Sequence, residues 1–143
     1  MRAGIAPRTV YLALAACTIA AGLIVYLAGA ALPPSARDVL GDMLWASMIV
    51  WWTSAAAPRA PLRTRGLAAF AVCVAVEMSQ RYRTPALDAI RRTVIGHLVL
   101  GSGYDPRDFL AYAAGVLAAI AIARYLGRRI ALTLPLRPPP QKN

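Results

Sequence analysis

The sequence has few acidic residues and almost no lysine. Six aspartates and glutamates stand against sixteen lysines and arginines, for a formal net charge of +10, and Lys142 is the only lysine. A nucleic-acid-binding surface needs basic residues interleaved with aromatic ones on one exposed face, whereas these arginines flank apolar segments. We therefore expect no nucleic acid among the partners and assign the arginines to helix ends that meet anionic lipid head groups.

Cysteine and histidine are also scarce, so few residues are available to form a disulfide or to bind a metal ion. Cys17 and Cys73 lie inside apolar segments, where thiols behave as small hydrophobic groups, and neither has a second ligand at a suitable spacing. The sequence predicts no metal and no cofactor, and it offers no catalytic residue. Whether the protein is an enzyme stays open, with a non-enzymatic role favoured.

Charge is absent from a long stretch near the N-terminus, between Arg8 and Arg37. A helix that crosses a bilayer needs about 20 mostly apolar residues, so this stretch predicts a span over residues 9–32. Further spans are predicted over 38–57, 66–81 and 106–126. The expected fold class is all-α, an integral membrane bundle of four transmembrane helices in a single domain over residues 1–132.

Two segments do not fit a span. Residues 133–143 contain three consecutive prolines and are predicted to form a disordered, proline-rich cytoplasmic tail. The apolar piece over residues 93–100 is too short to cross a bilayer, so it predicts a short interfacial or re-entrant segment between helices 3 and 4. The sequence leaves open whether residues 90–102 re-enter the membrane or lie on its surface.

The basic residues of the connections predict the orientation. With the N-terminus inside, the inner segments hold ten lysines and arginines and the outer segments hold six, which favours both termini on the cytoplasmic side. The heavy use of alanine and arginine is typical of GC-rich bacterial genomes. We therefore expect a multi-pass protein of the bacterial cytoplasmic (inner) membrane.

In this topology every acidic residue lies toward the outer side. A carboxylate at membrane depth costs several kcal/mol unless it is protonated, paired or hydrated, so it is a functional candidate. Glu77 and Gln80 are three residues apart, and Asp108 and Tyr112 four, so each pair shares one helix face. If these two faces meet Asp42, they form a polar pocket open to the outside.

Plainer structural roles remain open for the same residues. Glu77 lies four residues before Arg81, so the two could form only an interfacial ion pair. Asp42 and Asp108 lie near the predicted starts of their helices, where an acidic side chain offsets the helix dipole. These structural roles compete with the functional interpretation at each position.

The connection between the third and fourth spans supplies two further candidates. Arg92, together with Arg91, could anchor the chain to lipid or hold a phosphate. A lone histidine such as His97 is more often a loop or core residue than a ligand. The complete set of ligand-binding candidates is Asp42, Trp45, Glu77, Gln80, Arg92, His97, Asp108 and Tyr112.

The stretch Gly41-Asp42-x-Leu44-Trp45-Ala46 resembles the second-helix signature of the DUF2809 family of small bacterial membrane proteins. The resemblance continues through Glu77-x-x-Gln80, Arg92-Thr93 and Gly96, then Leu100-Gly101, Asp108, Tyr112 and Gly115. The Glu-x-x-Gln motif followed by Asp108 is also similar to VanZ-type proteins, which are associated with glycopeptide resistance. The resemblance implies the membrane topology and, because the family has no established activity, little about chemistry.

Four functions are compatible with these patterns. The favoured one is a protein whose outward-facing pocket binds the head group of an envelope lipid or lipid-linked precursor. The alternatives are a non-catalytic subunit of a membrane complex, a lipid-modifying enzyme and an ion-coupled transporter. The expected partners are membrane lipids, together with an envelope precursor or another membrane protein.

Overall fold

The computed structural model describes residues 8–27, 31–100 and 103–133. Within these ranges the chain is entirely helical and contains no strand, which confirms the predicted all-α class. The predicted disordered tail at 133–143 lies outside the described residues except for Thr133, which ends the last helix. The six helices are α1 (Arg8–Leu27), α2 (Pro34–Ala56), α3 (Leu62–Ser79), α4 (Pro85–Arg91), α5 (Val94–Leu100) and α6 (Asp108–Thr133).

Helix α2 begins at Pro34, four residues before the predicted start. Proline is well suited to the first helical turn because its missing N–H would be unpaired there anyway, and Arg37 N–H already donates to the carbonyl of Pro33 at 3.0 Å. Asp42 therefore lies two turns inside α2, which has no acidic residue in its first turn. The dipole interpretation of Asp42 is wrong, whereas Asp108 does lie in the first turn of α6.

Two short helices, α4 and α5, form the connection between α3 and α6, where the sequence predicted one apolar segment. Thr84 caps α4 by accepting a hydrogen bond from the N–H of Leu87 at 3.2 Å. The chain turns tightly between the two helices, since a Cβ at Gly96 would collide with the backbone carbonyl of Ile90.

Helix α2 is the central element of the bundle. It packs against α1, α3 and α6, and α6 also packs against α3. The approach of α6 to α2 is close at Gly115, where an added Cβ would meet the backbone of Met43. Ser47 stabilises the same contact between α2 and α6, because its hydroxyl donates a hydrogen bond to the carbonyl of Gly115 at 3.0 Å.

The core of the bundle is built largely from small side chains, while large aliphatic ones face outward. Ala46, Ala69 and Ala119 are completely buried, whereas Leu27 and Leu110 are 80% and 76% exposed. Among the described residues two helices are long and apolar enough to cross a membrane, Arg8–Leu27 and Asp108–Arg129. These two correspond to the first and last of the four predicted spans.

Candidate functional site

A cleft of about 790 Å³ opens at the end of the bundle where α1 and α3 end and α2 and α6 begin. Each of these helices contributes to its wall: Gly22 comes from α1, Trp45 from α2 and Val76 from α3, and Tyr112 comes from α6. Successive long helices run in opposite directions, so their polar ends meet here. Of the eight predicted site residues, five line this cleft: Asp42, Trp45, Gln80, Asp108 and Tyr112.

Glu77 lies behind the cleft and is completely buried. Its Oε2 accepts a hydrogen bond from the hydroxyl of Tyr112 at 2.9 Å, and its Oε1 accepts one from the backbone N–H of Asp105 at 2.8 Å. The guanidinium of Arg81 instead lies 5.2 Å from the centre of the Tyr104 ring. The partners of Glu77 are therefore α6 and the segment before it, not the ion pair with Arg81 that the spacing allowed.

Asp42 of α2 and Asp108 of α6 both line the cleft. Their carboxyl groups lie near enough to interact with each other. Two neighbouring carboxylates repel each other, and a cation between them relieves that repulsion. The pair therefore offers carboxylate oxygens that can accept hydrogen bonds from a positively charged group.

Gln80 is buried, with 5% of its surface exposed, and lines the cleft at the end of α3. Its Oε1 has no hydrogen-bond partner in the part of the chain that the structure describes. A buried carbonyl oxygen without a donor costs about 1–3 kcal/mol. Gln80 therefore offers an unpaired acceptor to a molecule that enters the cleft.

The ionisable lining of the cleft is mostly acidic. Asp38 and Asp105 join Asp42 and Asp108, and Arg37 is the single basic residue among the lining side chains that the structure describes. The Nε of Arg37 lies 3.7 Å from a carboxylate oxygen of Asp38, so this charge is already paired. Asp38 and Asp105, which the sequence did not single out, lie four residues before Asp42 and three residues before Asp108.

The structure does not bring Arg92 to the cleft. Its exposed side chain donates from Nε to the carbonyl of Asp88 at 3.2 Å, within its own turn. His97 lies in α5, but its side chain is not among those that the structure describes. The phosphate-binding role considered for Arg92 therefore has no geometric support, and the ligand role of His97 stays a prediction.

Arg91 has a different role from the lipid anchor that the sequence suggested. It is buried, and its guanidinium donates to the carbonyls of Ser79 at 2.8 Å and Tyr82 at 3.0 Å. It also contacts a carboxylate oxygen of Asp88 at 3.4 Å. The arginine therefore holds α4 against the end of α3, and its i, i+3 spacing from Asp88 was the only sequence signal for this.

A buried arginine also lies at the opposite end of the bundle. Arg65 is 7% exposed and its guanidinium carbon lies 5.4 Å from the centre of the Tyr11 ring. The sequence predicted that Arg65 lies in the connection before the third span. In the structure α3 begins at Leu62, so Arg65 is part of that helix and is buried in the bundle. The end of the bundle opposite the cleft therefore contains a buried arginine that the sequence placed outside the predicted spans.

Within the described ranges, no three histidine, cysteine, aspartate or glutamate side chains are grouped as metal ligands would be. The carboxylates of the cleft are instead spread along its wall: Asp38 is paired with Arg37, and Asp105 accepts a hydrogen bond from the backbone N–H of Arg107. These carboxylates can accept hydrogen bonds from a ligand and attract a positively charged group on it.

Residues 31–116 match the model of a protein family described as a protein of unknown function, DUF2809. The match covers more than half of the chain, from the start of α2 to the second turn of α6, and includes all eight predicted site residues. No solved structure matches the chain.

Proposed function

We propose that this chain, which belongs to the DUF2809 family, is a multi-pass membrane protein that binds the head group of an envelope lipid or lipid-linked precursor in its cleft. Three features support the proposal: the apolar outer surface, the position of the cleft at one end of the bundle, and its mixed polar and aliphatic lining.

The first support is the distribution of apolar side chains. Soluble proteins rarely expose extended apolar surfaces, yet exposed Leu23, Leu67 and Leu117 belong to three different helices of this bundle. Small residues at helix contacts are typical of membrane bundles, where close approach of the backbones provides the packing energy. The four long helices, of 18 to 26 residues, are roughly 27–39 Å long, and all except the shortest, α3, reach the thickness of a hydrocarbon core of about 30 Å.

The second support is the position of the cleft. The arginine distribution favours cytoplasmic termini, which puts the start of α2 and the end of α3, and with them the cleft, at the outer face. On that face α4 and α5 carry exposed Ile90, Val94 and Ile95 beside several arginines. Such a mixture is typical of segments that lie in the membrane interface, where the head groups of the outer leaflet are.

The single observation that carries the proposal is the two-part lining of the cleft. Gln80, whose Oε1 has no partner among the described residues, forms its polar part together with Asp42 and Asp108. Leu23 and Met48 belong to its aliphatic part. A lipid presents the same combination, a polar head group joined to hydrocarbon. An amphipathic ligand can therefore satisfy both parts, whereas a small polar solute satisfies only one.

Binding can be measured through Trp45, which lines the cleft. The protein, purified in a maltoside detergent, is titrated with dioctanoyl phospholipids while tryptophan fluorescence is recorded. Gly41 also lines the cleft and has open space around its Cβ position, so Gly41→Leu should fill the cleft and weaken binding at least about tenfold.

Two matched variants control this experiment. Ala71→Leu adds the same bulk at an exposed position of α3 and should bind lipid like the wild type. Trp45→Phe should remove the fluorescence response without removing binding, as checked by native mass spectrometry. Unchanged affinity in Gly41→Leu, or no saturable lipid binding at all, would exclude the proposed function.

A role as a packing subunit of a membrane complex has less support. Small residues on an exposed helix face would suit contact with a partner helix, but Ala111 and Gly115 of α6 are buried within the bundle itself. Ala114 and Ala118 of the same helix are exposed. A lipid-modifying enzyme or an ion-coupled transporter has no specific observation in its favour among the described residues.

A further inference from the structure

We infer that the head group held in the cleft carries a primary ammonium group, so that the ligand belongs to the aminophospholipids; this inference rests on the function proposed above. The sequence favoured an anionic group bound by Arg91, Arg92 or His97. The cleft has the opposite character.

Charge is the first argument. Of the six acidic residues in the chain, four line the cleft, against one arginine that is already paired with Asp38. With four aspartates and one arginine, negative charge exceeds positive charge among these side chains. Opposed charges favour association and like charges disfavour it, so a cation is stabilised here and a phosphate is repelled.

Hydrogen bonding is the second and independent argument. The carboxylates of Asp42 and Asp108 line the cleft as hydrogen-bond acceptors, and the buried Oε1 of Gln80 has no donor among the described residues. A primary ammonium group brings three N–H donors, which matches Gln80, Asp42 and Asp108. A quaternary ammonium group has the same charge but no donor, so it would leave Gln80 unpaired.

Glu77 does not compete for this role. Both of its oxygens accept hydrogen bonds from within the protein, and its side chain is completely buried. The cation-binding groups are therefore Asp42 and Asp108, with Gln80 as the neutral acceptor.

The exposed arginines next to the cleft suit the other half of a zwitterionic head group. Arg81 follows Gln80 directly, and Arg107 lies between Asp105 and Asp108; both side chains are exposed. In such a head group a short carbon chain joins the ammonium group to the phosphate. When the ammonium group lies between the aspartates, the phosphate therefore lies outside the acidic lining of the cleft. Exposed arginines are well suited to a phosphate in that position.

The test compares four probes in the Trp45 fluorescence assay: dioctanoyl phosphatidylethanolamine, phosphatidylcholine, phosphatidylglycerol and free ethanolamine. Phosphatidylethanolamine should bind at least about tenfold more tightly than each of the others. Asp42→Asn and Asp108→Asn should each reduce this preference about tenfold while leaving the weaker binding of phosphatidylglycerol unchanged or stronger.

Asp88→Asn is the matched control, because Asp88 is an acidic residue outside the cleft and asparagine keeps an acceptor oxygen for Arg83 and Arg91. It should preserve the preference. If an aspartate variant does not fold, as judged by circular dichroism and gel filtration, Gln80→Leu provides a second test, since it should reduce the advantage of phosphatidylethanolamine over phosphatidylcholine.

The outcomes separate this inference from the function on which it rests. Equal or tighter binding of phosphatidylglycerol or phosphatidylcholine, blocked by Gly41→Leu, would overturn the ammonium inference and keep lipid binding. Ethanolamine binding as tight as that of phosphatidylethanolamine would keep the ammonium group and overturn its lipid source. A preference that survives both aspartate substitutions would overturn the assignment of Asp42 and Asp108.

Discussion

At the scale of single residues, the structure separates two acidic roles that look alike in the sequence. Glu77 is fully satisfied by Tyr112 and by the backbone of Asp105, so its role is to fix α6 and the preceding segment against α3. Asp42 and Asp108 lie near each other and line the cleft. A buried carboxylate with two donors stabilises a fold, whereas a pair with spare acceptors at a surface can bind a ligand.

The bond between Tyr112 and Glu77 gives a prediction for stability. Tyr112→Phe keeps the ring but leaves Glu77 Oε2 buried without its donor, which should lower the free energy of unfolding by about 1–3 kcal/mol. Titration with a denaturing detergent, followed by circular dichroism, measures the change. Tyr82→Phe removes a hydroxyl from an exposed ring and should have no measurable effect; equal losses in both variants would contradict the assigned role of Glu77.

At the scale of the elements, close approach of two helices creates the site. The pairing of Asp42 with Asp108 requires α2 and α6 to lie near each other, and Gly115 permits this because it has no side chain to separate them from Met43. The end of α3 is held separately, by the guanidinium of Arg91. The positions of the cleft residues therefore depend on two contacts outside the cleft.

Gly115→Ala tests the helix crossing. The added methyl group would overlap the backbone of Met43, which cannot move as a side chain could, so we expect a loss of about 1–3 kcal/mol or more in unfolding free energy. Gly41→Ala is the control, because nothing lies within 4 Å of its Cβ position and alanine favours helix over glycine by about 1 kcal/mol. A Gly115→Ala protein as stable as Gly41→Ala would show that the crossing is looser than described.

Arg91→Lys tests how α4 is held. Lysine offers a single ammonium group in place of the planar fork that reaches two carbonyls, so the backbone amides of residues 80–92 should exchange hydrogen faster, by roughly tenfold. Hydrogen exchange followed by mass spectrometry measures this. Arg92→Lys changes an exposed neighbour and should leave exchange unaltered; the same acceleration in both variants would contradict a specific role for Arg91.

At the scale of the whole molecule, the proposal of four spans with cytoplasmic termini can be tested by cysteine labelling. In a protein with Cys17→Ala and Cys73→Ala, single cysteines replace Ala57 or Ala86, which are exposed in the α2–α3 connection and in α4. A membrane-impermeant maleimide added to intact cells should label position 86 and reach position 57 only after permeabilisation. The reverse pattern would invert the orientation, and labelling of both positions in intact cells would exclude α3 as a span.

Much of the secondary structure could be predicted from the sequence, because an apolar helix requires only local information. Long apolar stretches predicted the helices now seen as α1 and α6, and the i, i+3 and i, i+4 spacings placed Glu77 with Gln80 and Asp108 with Tyr112. The start of α2 was predicted too late because Pro34 was taken as a terminator, although proline fits a first turn. Arg65 was misplaced for a related reason, since a charge was taken to mark the end of a helix.

The sequence by itself determined the helical class and the clustering of acidic residues toward one end, since both follow from periodicity and from the order of residues along the chain. Only the tertiary structure decided which carboxylates are satisfied and which are available. The donors to Glu77 lie 28 and 35 residues away, and the partner of Asp42 is on another helix. Residue spacing defines which residues are neighbours along one helix. Hydrogen-bond partners on different helices depend instead on how the backbones pack. That packing brings four aspartates to one cleft and makes its lining acidic.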